Sequence, residues 1–274
     1  VTDEYLATGF RDVDGRGDPA AYRDCLRFIG SLPYYREVKG RSYDLLRLAP
    51  GLAVLDVGSG VGDDAFRMAR RVMPGGLVVG IDASERMVEE ARSRAPEGFN
   101  VRFEKADART LPFDNATFDR VRIDRTLQHI PRPEAVLGEM VRVLKPGGLL
   151  LAYDNDWETF SIMGADGDAT KIIENLWRNS FANPRMGRDL EGCVAVQGLA
   201  DIECYQSVSV ITDFATTDKI YNLTESARRA VDTMLLTPER ADRWLQGLRS
   251  SSLSGEFRCT LTACTVVAKR TGNP

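Results

Sequence analysis

The segment Val54-Leu55-Asp56-Val57-Gly58-Ser59-Gly60-Val61-Gly62-Asp63 constrains this 274-residue chain more than any other. An apolar run at residues 52–57 meets three glycines at alternate positions, and a helix-like stretch at 61–73 begins at once. Glycines let a backbone turn tightly and approach a bound group closely. N–H groups at the start of a helix then point at that group. A dinucleotide-binding turn would carry Gly or Ala at position 63. Asp63 would instead set a negative charge beside a pyrophosphate, which argues against NAD. No Gly-Lys-Ser/Thr follows, so the turn is not a P-loop either.

A further apolar run at 77–81 reads as a buried strand and segments 101–105, 118–123 and 149–153 as three more strands, with helices predicted over 84–94 and 133–144. Lys145-Pro146-Gly147-Gly148 closes the second helix. Strands alternating with helices of this length imply an α/β fold with a parallel sheet covered on both faces. Ahead of the glycine turn, residues 12–18 read as a polar turn, and 19–29 and 33–48 as helices stopped by Pro50-Gly51. Beyond Tyr153, residues 154–185 read as polar and irregular apart from a helix at 169–180. Helices are expected at 185–198, 218–236 and 238–248, and strands at 201–211 and 257–269. Those two strands are expected side by side at one sheet edge.

Acids stand at three successive strand ends. Asp82 follows Val79-Gly80-Ile81, where a carboxylate can accept hydrogen bonds from both ribose hydroxyls. Asp107 follows the third strand, where it could receive an adenine amino group, and Asp124 ends the fourth. Open α/β sheets bind ligands outside the carboxyl ends of their strands.

The runs VLDVGSGVGDD, VVGIDAS, FEKADARTLPF, FDRVRIDRTLQHI and RVLKPGGLLL together resemble class I S-adenosylmethionine-dependent methyltransferases. The resemblance is to the branch holding ubiquinone/menaquinone C-methyltransferases and many natural-product methyltransferases, and covers residues 45–155. It implies a doubly wound, mostly parallel seven-stranded sheet with helices on both faces and an antiparallel last strand. A helical N-terminal lid and insertions would complete it. One domain is expected over 1–274: lid 1–49, cofactor-binding core 50–154, and 155–274 supplying insertions, lid helices and the final strands.

By that resemblance Gly58, Ser59 and Gly60 pass under the methionine part of S-adenosylmethionine, with Asp56 supporting the loop. Asp82 would hold the ribose, and Ala83 and Met87 would flank the adenine. Asp107 and the Ala108 backbone would face the adenine edge, and Asp124 and Arg125 the methionine end. Asp63 is shared between this site and the helix's first turn, where acids are favourable; Asp64 is read as structural. Arg36 or Arg41 could pair with the methionine carboxylate.

An acceptor pocket is expected from Tyr34, Tyr35 and Trp157. His129, the only histidine, would suit a general base, and Asp154 and Asp156 could hold an amine or hydroxyl acceptor. A metal site at that pair finds no further ligand, so none is expected.

With 36 Lys and Arg against 40 Asp and Glu, the chain lacks the basic excess of a nucleic-acid binder. No apolar run of about 18 residues is present to span a bilayer. The five cysteines show no zinc-ligand spacing and suit a reducing compartment. The first residues lack signal-peptide features, so a cytoplasmic enzyme acting on a small-molecule acceptor is expected. Action on RNA or protein, or a cyclisation on the same scaffold, are the alternatives. Apolar residues on the N-terminal helices suggest a homo-oligomer interface.

Overall fold

The computed structural model describes residues 13–15, 19–164 and 166–272, so most of the polar turn expected at 12–18 lies outside the described residues. Seven strands form one sheet: β1 Ala53–Val57, β2 Leu77–Asp82, β3 Val101–Lys105, β4 Phe118–Asp124, β5 Leu144–Met163, β6 Ala200–Ile211 and β7 Arg258–Lys269. Their order is β3-β2-β1-β4-β5-β7-β6. Pairings from β3 to β5 are parallel, and β7 runs antiparallel to both β5 and β6. The expected sheet is therefore the one that forms.

From β1 the chain steps outward to β2 and β3, then returns to β4 on the other side of β1. Such a reversal opens a crevice between the two strand ends. Asp56 pairs with Arg122 and Val57 with Ile123, so the glycine turn and the Asp124-Arg125 end rise side by side.

Ten α-helices are described: α1 Pro19–Ser31, α2 Pro33–Leu45, α3 Asp63–Val72, α4 Glu85–Ser93, α5 Pro133–Val143, α6 Gly167–Arg178, α7 Met186–Ala195, α8 Phe214–Tyr221, α9 Leu223–Asp232 and α10 Pro238–Leu253. Side chains alternate across each strand. Leu55, Val57, Val121 and Ile123 thus meet Leu137 and Met140 of α5 and Leu190 of α7 on one face. On the other face, Val54 and Val78 meet Tyr43 of α2, Met68 and Val72 of α3, and Val88 of α4.

A third core lies beyond the strand ends. Ile29 of α1, Phe160 of β5, Trp177 of α6, Tyr221 of α8, Leu223 of α9 and Trp244 of α10 pack there. Each large apolar side chain buried adds about 1.5–3 kcal/mol, so this cover is a packed body.

Two expectations need correction. The polar stretch after Tyr153 is not irregular: β5 runs on to Met163 because the first half of β7 pairs with it, Ser161 opposite Thr260 and Ile162 opposite Cys259. The helix expected at 218–236 is two, broken at Asn222, whose φ of +49° is one that Asn tolerates. Cys25, Ile29, Tyr35 and Leu46 of the N-terminal segment are buried within the chain, so these side chains do not face a second copy.

Candidate active site

A cavity of about 880 Å³ opens at the β1–β4 crevice and runs up under the helical cover. Its floor is the glycine turn, where Gly58, Gly60 and Gly62 all hold positive φ. At Gly58 a Cβ would stand 2.2 Å from Thr126 Oγ1, so the turn and the end of β4 touch only because that side chain is missing. At Gly60 a Cβ would meet only Leu26 Cδ1, at 3.3 Å, and would intrude on the cavity itself.

Asp82 is tied to this turn. Gly60 N–H donates to its Oδ2 at 2.9 Å and Ser84 N–H to its Oδ1 at 3.0 Å. A carboxylate offers about four lone-pair sites, so two remain for hydroxyl donors. Burial pushes this carboxyl above its ordinary value. Ala83, Met87, Asp107 and Ala108 also line the cavity. Asp107 is already gripped by Arg109, with Nε at 3.0 Å and Nη2 at 2.7 Å, and that pairing holds its carboxyl low. Ser84 caps α4 by accepting from Met87 N–H. Asp14, which no sequence reading singled out, accepts from Ser84 Oγ at 2.6 Å and Glu85 N–H at 2.9 Å. Through it, Val13 is drawn onto the cavity wall beside Met87.

Deeper in the crevice is a buried cluster of three carboxylates and three cations. Arg122, 1% exposed, donates to Asp56 at 2.8 Å, Asp64 at 3.2 Å and Asp124 at 2.5 Å. Lys39 donates to Asp64 and lies 3.7 Å from Asp124, and Arg125 Nε donates to Asp124 at 2.8 Å. Tyr43 OH completes Asp64 at 2.6 Å. Isolated buried charges each cost several kcal/mol, so these groups are tenable only together. Burial pushes the Asp56 carboxyl up to about 6 despite Arg122. Burial also opposes ionisation of Asp64, yet Lys39 and Arg122 hold that carboxyl far below the usual range.

Asp63 lines the cavity but is paired with Arg94 at 2.5 Å. Ser59 lines it through the turn, its hydroxyl turned toward Gly80. Asp64 is not a plain first-turn acid: it sits at the centre of the cluster.

Arg36 and Arg41 do not line the cavity. Both are exposed on α2, and Arg41 lies over the Tyr205 ring at 4.4 Å, away from the crevice. The cation that reaches the site from α2 is Lys39. Tyr35, Lys39, Ser42 and Tyr43 form the helix's buried face, the three- and four-residue spacing that could have found it.

The upper end is aromatic. Trp157 stacks on Phe181 with ring centres 4.2 Å apart, and Trp177 and Tyr221 stand against its edges. Tyr35, Trp157, Trp177, Phe181 and Tyr221 all line the cavity, as does His129, 5.4 Å from Phe181. Gln128, 4% exposed, accepts from Trp157 Nε1 at 2.8 Å, and its amide nitrogen is 3.0 Å from His129 Nε2. Tyr34 stays out of the cavity, bonded to Ser207 at 2.9 Å.

Asp154 and Asp156 also lie outside it, because β5 carries them into the sheet. Asp154 accepts from the N–H groups of Gln128 at 3.0 Å and Asn155 at 2.9 Å, and burial pushes its carboxyl up to about 8. Asp156 is paired with Arg188 at 2.7 Å. Among the described residues no group of His, Cys, Asp and Glu could hold a metal, and no helix is long and apolar enough to cross a membrane.

Comparison with known proteins places this geometry. A family described as a methyltransferase domain matches residues 48–228. An uncharacterized 37.1 kDa protein in transposon Tn4556 of Streptomyces fradiae is 33% identical over 93% of this chain and 72% of its own length. The ubiquinone/menaquinone biosynthesis C-methyltransferase UbiE of Bordetella parapertussis is 32% identical over 63% of this chain and 71% of its own. Phosphoethanolamine N-methyltransferase 2 of Haemonchus contortus, solved with S-adenosyl-L-methionine, shares the fold at 20% identity and a TM-score of 0.59, over 97% of this chain and 60% of that one. The chain belongs to the methyltransferase domain family and is a class I S-adenosylmethionine-dependent methyltransferase.

Proposed function

We propose that this methyltransferase acts on a small, planar, largely apolar acceptor seated against Trp157 and Phe181, in a biosynthetic rather than a nucleic-acid-modifying role. The observation that carries the reading is one cavity with two unlike ends: backbone and carboxylate below, stacked aromatics above. Flat rings pack well on such a wall, worth about 0.5–1.5 kcal/mol per aromatic pair beyond burial. Arg125, over the Tyr35 ring at 5.2 Å, disfavours a cationic acceptor.

The residues of the lower end fit S-adenosylmethionine. Gly60 leaves the floor open where a Cβ would intrude, and Asp82 keeps two lone-pair sites for the ribose hydroxyls. Ala83 and Met87 border the adenine, with Asp107 and the Ala108 backbone at its edge. Gly58, Ser59 and Gly60 run beneath the methionine portion. Lys39 and Arg125, rather than Arg36 or Arg41, supply positive charge for its carboxylate. Asp64 and Asp124 fix those cations in place, and Asp56 holds Arg122 beside them.

When bound, the cofactor supplies an electrophilic methyl group. The chain's task is alignment in a dry pocket, and well-oriented reactants gain about 7–11 kcal/mol. Trp157, Phe181 and Tyr221 exclude water and fix the acceptor plane. The reading treats the chain as one domain, with the helices around residues 19–45 and 167–253 covering the core.

The test is mass spectrometry of a pool of small aromatic acceptors after incubation with methyl-labelled cofactor. The reading expects label in a planar small molecule. Label confined to bulk RNA or protein, or acceptor conversion without release of S-adenosylhomocysteine, would contradict it.

A further inference from the structure

The side-chain amide of Gln128 has every hydrogen-bonding position filled, and its neighbours dictate which way round it lies. Trp157 Nε1–H is a donor only, so the atom 2.8 Å from it is the amide oxygen. Asn155 Nδ2 donates to the same oxygen at 3.4 Å. On the other side, the amide nitrogen is 3.2 Å from the Arg125 carbonyl, which can only accept. Turning the amide over would set N–H against N–H at Trp157 and oxygen against oxygen at Arg125. The remaining amide hydrogen therefore points at His129 Nε2, 3.0 Å away. The backbone of Gln128 is held as well, its N–H on Asp154 Oδ2 at 3.0 Å and its carbonyl accepting from Asn183 N–H at 3.0 Å.

A neutral imidazole has one ring lone pair. If Nε2 accepts, the proton sits on Nδ1, and the ring's basic site is engaged. An imidazolium there would place a donor against a donor. Histidine in unstructured peptides favours the opposite tautomer, with the proton on Nε2, so the pocket selects the less common form.

We propose that Gln128 is a positioning residue that holds His129 as a neutral imidazole protonated on Nδ1. With Nε2 engaged by Gln128 and Nδ1 enclosed in the fold, His129 does not serve the acceptor as a general base, a consequence that rests on the acceptor seat proposed above. Asp154 acts one step behind, fixing the backbone from which the Gln128 amide projects. Trp157 serves twice, as the acceptor's wall and as the donor that orients the amide. A proton lost by the acceptor would go to another group.

His129 is the only histidine, so its ring nitrogens are unambiguous in the spectrum of the whole chain. The experiment is a long-range proton–nitrogen correlation on histidine-labelled protein at neutral pH, needing neither cofactor nor acceptor. The expected result is a pyrrole-type Nδ1 and a pyridine-type Nε2. Gln128→Glu puts a carboxylate against Nε2 and is expected to move the proton there; Gln128→Leu is expected to release the ring toward the common tautomer. An Nε2–H or doubly protonated ring in the wild type overturns the proposal, as does an Nδ1–H ring unaltered in Gln128→Glu. If the Gln128 variants fail to fold, the wild-type spectrum still decides, and Trp157→Phe is expected to lower the Nδ1–H fraction. For the catalytic consequence, the turnover of His129→Asn is expected to fall by less than the roughly 100-fold that loss of a general base brings. A larger fall would overturn the reading that His129 is not the base while leaving the fixed tautomer standing.

Discussion

At its lower end the cavity is made of backbone and charge: glycines at positive φ, Asp82 bonded to the turn, and carboxylates and cations from β1, α2, α3 and β4. At its upper end the wall is side chain, with Trp157 from β5, Trp177 from α6 and Tyr221 from α8 meeting around Phe181. The lower end owes its form to strand ends, whose positions the sheet dictates. The upper end owes its form to a separate core of helices packed over the sheet. On the proposed function, cofactor recognition belongs to the part of the fold that cannot vary without breaking the sheet. Acceptor choice would then belong to a part that can.

If the ends are that distinct, substitutions should divide by end. The largest expected effect is Arg122→Met, which leaves Asp56, Asp64 and Asp124 with one buried cation fewer. Breaking a buried ion pair in this way costs about 3–5 kcal/mol, read as a lower urea midpoint. A loss below about 1 kcal/mol would mean that the cluster is not coupled.

Asp154, beneath the upper end, gives the next effect through pH. Its carboxyl stands at about 8 in the fold against an ordinary 3.8. Between those values the folded chain binds a proton that the unfolded chain does not, so stability falls as pH rises through the window. At about 1.4 kcal/mol per pKa unit, the three units from pH 5 to 8 correspond to a loss of at most about 4 kcal/mol. Thermal melts from pH 5 to 8 should slope downward in the wild type and more gently in Asp154→Asn; equal slopes would refute the assignment.

A smaller effect separates the residues of the lower end from those that only lie near it in sequence. Asp82→Ala is expected to weaken S-adenosylhomocysteine at least tenfold, about 1.4 kcal/mol. Arg36→Ala and Arg41→Ala, on the exposed face of α2, should change it by no more than about 0.5 kcal/mol. The reverse ranking would return the carboxylate to one of those arginines.

The same division explains what the sequence could disclose. Asp82, Asp107 and Asp124 were legible because each stands at or just past the end of an expected strand, and a strand end is a place in space as well as in sequence. The glycine turn was legible for a similar reason: its spacing is a backbone requirement. Lys39 needed one further step, since Arg36 and Arg41 lie equally close along the chain and only the buried stripe through Tyr35, Ser42 and Tyr43 distinguishes it. Arg122 and Asp64 read as an ordinary strand and helix charge until pairing of β1 with β4 brings Asp56 to Arg122. The aromatic end had no local signal. Trp157 was visible as a residue, but Phe181, Trp177 and Tyr221 meet it across long stretches of chain. Burial of Asp154 and Asp156 was hidden because β5 is extended by β7, a pairing about a hundred residues away.

The division is tested most directly by calorimetric titration of S-adenosylhomocysteine into the wild type and Trp157→Ala, with methyl transfer measured on the same samples. The account predicts single-site binding to both, with dissociation constants within about threefold, less than 1.4 kcal/mol apart, and transfer lost only in the variant. Absence of binding to the wild type, or a loss of affinity in Trp157→Ala that matches its loss of transfer, would contradict it.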